Sequence, residues 1–136
     1  MILLSVCATA FAQPGRQSKR DKVEQLRIAF LSEELSLTVE EGQQFWPLFN
    51  AFEKEKKELK MSHKKLVMGM NEKGSSITNS EVQKFVTEME ARRQSEAQLE
   101  AKFLHDCLPI LGAERTVKLL QAEDKFRRAL LKEKMR

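Results

Sequence analysis

Among its 136 residues the chain has no tyrosine, one tryptophan, three prolines, five glycines and two cysteines. With so little glycine and proline beside abundant Glu, Lys, Gln, Arg and Leu, there is almost no material for strands and much for long helices. No glycine-rich phosphate loop is present, and neither histidine stands in a Ser-His-Asp or Cys-His arrangement. The chain therefore reads as non-catalytic, with no cofactor implied. Its net charge of +4 is small and interleaved. That balance suits an acidic partner or an anionic surface but makes no case for nucleic acid.

The first twelve residues, MILLSVCATAFA, carry no charge and end in an A-x-A cleavage signal, Ala10-Phe11-Ala12. They read as the apolar and cleavage regions of a secretory signal peptide, too short to span a membrane. No positive region precedes them, so the true start is expected further upstream. Lipidation at Cys7 is the alternative, but Val6 is bulky for the position before a lipidated cysteine. Cleavage removes Cys7 and leaves Cys107 alone, with no internal disulfide. Residues 13–20, QPGRQSKR, form a basic leader read as flexible. The mature protein is expected to be exported, with no integral membrane segment and a single helical domain over residues 21–136.

Four helices are expected in that domain. In the first, residues 21–35, Val23, Leu26, Phe30 and Leu35 follow helical spacing. Thr38 with Glu41 three residues on forms a capping box and opens the second, which runs to about Asn71. Phe45, Trp46, Leu48, Phe49 and Phe52 crowd its start around Pro47, after which apolar residues thin to Leu59, Leu66 and Met70. The loop NEKGSSITNS follows, with Gly74 as helix stop. Thr78 and Glu81 repeat the capping-box spacing and open the third helix, which Pro109 ends or bends. Gly112 caps the fourth, with its stripe of Val117, Leu120, Phe126 and Leu130. The two middle helices form a long antiparallel hairpin, flanked by two short helices that cover its aromatic end. Its far half has only a narrow apolar stripe, so a second copy is expected to cover it.

The soft metal ligands are Met61, His63, Met68, Met70, His105 and Cys107. No His-x-x-x-His spacing joins them: His63 is followed four residues on by Val67, and His105 by Pro109. No metal site is therefore assigned, with His63, His105 and Cys107 the weak candidates. The stretch EKEKKELKMSHKK is locally basic. It reads either as a solvated helix or as a basic rim for an acidic or unfolded client, with Lys56, Lys57, Lys60 and Lys64 as contacts. Arg92 and Arg93 invite the same treatment.

The stretches LSLTVEEGQQFWPLFNAFEKE and LPILGAERTVKLLQAEDKFRRALLKE resemble the two signature regions of the Spy/CpxP-like periplasmic proteins. They are nearest the subgroup labelled sensors of extracytoplasmic-function sigma factors or periplasmic heavy-metal sensors. The resemblance is strongest at Leu37-Thr38, Phe45-Trp46-Pro47 and Ala122-Glu123 with Phe126-Arg127-Arg128. The family's L-T-x-x-Q motif is degenerate here, with Glu41 in the glutamine position. The resemblance implies an all-α, cradle-like homodimer of helical hairpins, in which Pro47 bends the second helix so that Phe49 and its neighbours wrap adjacent helices. It also implies a stress-response role in the periplasm with a protein partner. That partner is either a membrane-embedded regulator of an alternative sigma factor or an unfolded client held by an ATP-independent chaperone. Metal-sensing regulation is a further alternative.

Overall fold

The computed structural model describes residues 15–135, with side chains from residue 19 onward. The expected signal peptide, Cys7 and the first residues of the leader lie outside the described residues. Every regular element among those described is helical: α1 (Gly15–Glu34), α2 (Val39–Lys73), a short 3-10 turn (Gly74–Ser76) and α3 (Asn79–Lys134).

The count is three helices, not the four expected. The third and fourth are one element interrupted at Gly112, whose φ of 76° and ψ of 171° leave helical space. Pro109 does not end α3. The proline removes a bond to the carbonyl of His105, and both residues are exposed, so water can serve that carbonyl. Pro47 inside α2 is handled alike, because it and Gln43 are exposed. Helix α1 begins six residues earlier than expected, so part of the basic leader is helical. Its Arg, Gln and Lys are good helix formers.

Local signals are met at the other boundaries. The Thr38 hydroxyl accepts from the Glu41 amide at 3.1 Å while the Glu41 carboxylate accepts from the Thr38 amide at 3.1 Å. Thr78 and Glu81 repeat this at 3.3 and 2.9 Å. Gly74 ends α2 with φ at 51°, a left-handed angle natural to glycine, and donates to the carbonyl of Asn71.

The core sits entirely at one end. Leu31 of α1 and Leu35 just after it, Phe45 and Phe49 of α2, and Phe103, Cys107, Leu111, Leu119 and Ala122 of α3 form one buried cluster. None of residues 50–102 is buried. Beyond the core, α2 and α3 touch through a seam of half-buried residues: Leu59, His63, Leu66 and Met70 against Phe85, Met89, Arg92 and Glu96. Stacking of Phe52 on Phe103 at 4.3 Å and the Lys73–Glu81 ion pair near the tip fix the antiparallel register.

Candidate functional site

Two guanidinium groups hold the core end together. Arg115, just past the Gly112 break, donates from Nε to the carbonyl of Leu111 at 2.9 Å and from Nη1 to that of Leu35 at 3.4 Å. These are carbonyls at helix ends, which lack partners within their own helices. The same group grips Glu41 through two bonds of 2.8 and 2.6 Å. One side chain therefore ties together the end of α1, the capping box of α2 and the break in α3. The hydrogen bond from Arg115, aided by the Thr38 amide, lowers Glu41 from its ordinary 4.5 to about 2.

A depressed carboxylate contributes stability above its unfolded value and loses it as pH falls through the folded value. For Glu41 that window is roughly pH 4.5 down to 2. Arg115→Ala should return Glu41 towards the ordinary carboxylate range, read directly by NMR titration of its side chain. The stability lost within the window should shrink with it. An unchanged Glu41 titration would show that the capping amide alone holds it.

Arg27 is the second clamp. It lies in the apolar stripe of α1, four residues after Val23 and four before Leu31, and only 14% of its side chain is exposed. It bonds Glu53 of α2 at 2.6 and 3.2 Å, and Glu123 of α3 through Nε at 3.2 Å and through Nη2. Its guanidinium stands 4.8 Å from the centre of the Phe49 ring. Burial opposes the charge, but the hydrogen bonds that Arg27 donates to Glu53 and Glu123 outweigh it and hold Arg27 above its ordinary value. Sequence reasoning passed over Arg27. The available signal was a lone charge at a core-facing helical position.

The expected contact residues separate into three places. Lys56, Lys60 and Lys64 are exposed and four residues apart, so they share one side of α2. Lys56 lies 5.2 Å from the Phe52 ring centre and lines a groove with Glu100 and Leu104. Stepping along α3 from Glu100 by helical spacing reaches Arg93, Val86 and Val82, all exposed. Both helices run this way from the core to the tip, so the three lysines, Arg93 and the two valines form one continuous face. Lys57 points elsewhere, grouped with Lys54, Met61 and Lys65.

Arg92 differs most from expectation, because it turns into the seam instead of outward. The antiparallel register sets it opposite His63, and both line one small cleft with Glu88 and Leu66. Arg92 bonds Glu96 at 2.9 Å. His63 Nδ1 and Arg92 Nε are nonetheless buried without partners. Such atoms forfeit their hydration, typically about 1–3 kcal/mol each. His63→Leu with Arg92→Leu should therefore stabilise the chain by about 1–2 kcal/mol in urea unfolding, since the lost Arg92–Glu96 pair, within one helix and with 44% of the glutamate side chain exposed, is weak. A destabilised double variant would mean that this polar layer is fully satisfied in solution.

No family model, curated protein or solved structure matches this chain. Its chemistry must be read from its own side chains. The weak metal candidates do not converge. His105 is exposed, while Cys107 is buried in the core with its thiol pushed up to about 11, by burial first and then by Asp106. Met61 and Met68 are exposed, and Met70 is half-buried in the seam. Among the described residues, no three or more His, Cys, Asp or Glu side chains lie close enough to hold a metal ion.

The motif residues mostly build the core end. Phe126 packs on Phe30 with ring centres 5.6 Å apart, and Trp46 meets Phe45 and Phe49 edge-on. Arg127 and Arg128 both bind Asp124, the first at 2.6 Å, and the Arg127 bond leads in lowering that carboxyl. Among the described residues no helix is long and apolar enough to cross a membrane.

Proposed function

We propose that this chain is an exported, non-catalytic adaptor of the Spy/CpxP-like kind, working in the periplasm as a sensor linked to extracytoplasmic-function sigma-factor signalling. The observation that carries the proposal is the hairpin. Over residues 50–102 nothing is buried, yet one face presents Lys56, Lys60, Lys64 and Arg93 beside Val82 at 40% and Val86 at 55% exposure. A long two-helix arm with cations around exposed apolar groups is built to be covered by something acidic and partly apolar. Either a juxtamembrane segment of a regulator or a second copy in a homodimer would do so.

The chaperone reading has its own support in Met61 and Met68, each about half exposed, since methionine adapts to irregular apolar clients. Two measurements separate the readings. A regulator-binding protein captures one inner-membrane partner, and Lys60→Gln with Lys64→Gln and Arg93→Gln weakens that complex about tenfold, at up to ~1 kcal/mol per partly desolvated charge. A chaperone suppresses aggregation of an unfolded test protein at near-stoichiometric ratio. Neither specific capture nor suppression would end the binding account, and a sizing measurement showing monomer would end the dimer.

A further inference from the structure

The groove between α1, the hairpin and the last part of α3 differs in chemistry from the basic face beside it. Its floor is apolar: Phe103 and Leu119 are buried, Phe126 is half-buried, and Leu120 is left 42% exposed. Around this floor stand five carboxylates, at Glu24, Glu53, Glu100, Glu123 and Asp124, against three cations. Most of the charges are satisfied internally. Arg27 engages Glu53 and Glu123, while Arg127 and Arg128 engage Asp124.

Glu24 of α1 and Glu100 of the hairpin half of α3 are exposed and have no ion-pair partner among the described residues. Two uncommitted carboxylates from different helices thus edge an apolar floor. The cavity, about 390 Å³, takes the side chains of a docking segment rather than a folded domain.

We propose that this groove docks a segment of a partner protein in which apolar side chains are flanked by lysine or arginine. The apolar groups would rest on Leu120 and Phe126, and the cations would reach Glu24 and Glu100. The pairing is selective because the chain as a whole carries +4, which repels polycations at long range. Attraction of a cationic segment therefore has to come from a local site. The two surfaces sort partners by charge: the hairpin face takes acidic segments and the groove takes basic ones.

Fluorescence anisotropy of two labelled peptides against the intact chain tests this, one alternating leucine and lysine with helical period and one with leucine and glutamate. The Leu/Lys peptide should bind, and Glu24→Gln with Glu100→Gln should weaken it about tenfold. Leu120→Gln should weaken it also. Because all three positions are exposed, the variants should keep the parent's circular dichroism and Tm. The Leu/Glu peptide should ignore these changes and respond instead to Lys60→Gln with Lys64→Gln. Failure of that second response counts against the basic hairpin face alone. A Leu/Lys affinity left unchanged by either groove substitution, or no binding of that peptide, overturns the groove proposal.

Discussion

Replacing Phe49 by alanine should lower the unfolding free energy by about 3–5 kcal/mol, whereas Leu66→Ala on the same helix should lower it by about 1 kcal/mol. Phe49 is fully buried and packed from four sides. The rings of Phe45, Trp46 and Phe103 lie 5.7, 5.4 and 6.1 Å from it, and the Arg27 guanidinium covers one face at 4.8 Å. A cavity cut there cannot collapse, because its walls belong to three helices clamped together. Leu66 sits half-exposed in a two-helix seam, where its removal uncovers little that was dry. The single tryptophan, Trp46, edges onto Phe49 and reports the core end by fluorescence during urea unfolding. Equal losses for the two substitutions would mean that the hairpin is covered in solution, by a second copy or otherwise, as thoroughly as the core is here.

That asymmetry was legible in the sequence, because it follows from composition. Aromatics gather at residues 45–52 and one apolar residue per turn remains after them, so the core had to lie at one end. The capping boxes and the Gly74 stop were legible for the same reason: each is made by residues within one turn of one another. The boundary between the expected third and fourth helices was legible in part: Gly112, named as the cap of the fourth, does leave helical space, but Pro109, expected to end or bend the third, does not end it. Only Gly112 interrupts the helix, since the bond Pro109 forfeits faces water. For three arginines the tertiary neighbours carried no local signal. Arg115 and Arg92 look like surface charges on amphipathic helices, and Arg27, though a lone charge in an apolar stripe, does not name the acids it binds. The acids that Arg115 and Arg27 bind, Glu41 and Glu53 with Glu123, lie between 26 and 96 residues away, and Arg92 meets His63 only through the hairpin register. Charge pairing over such separations is decided by the tertiary fold, which one sequence does not reveal.

Arg27 is where that hidden information has the largest consequence. Arg27→Met keeps the length and apolar stem of the side chain but strands Glu53 and Glu123 beside each other against the core. Breaking a well-buried ion pair costs about 3–5 kcal/mol, and because 28% of each glutamate side chain still reaches water, about 2–3 kcal/mol is expected here. Arg27→Lys keeps the charge but loses the fork that bonds both carboxylates at once, so it should recover about half of that loss. Removing all three charges, with Arg27→Met, Glu53→Leu and Glu123→Leu together, should recover most of it, since apolar packing replaces a buried ionic triad at little net change. The parent's stability should vary only weakly with salt, the clamp being shielded from the ions that screen exposed pairs. If Arg27→Met lies within about 0.5 kcal/mol of the parent, as ordinary surface changes do, then α1 is not held by this clamp. It would instead rest on Leu31, Leu35 and Phe30 alone, and the groove beside it would be a mobile crevice rather than a formed site.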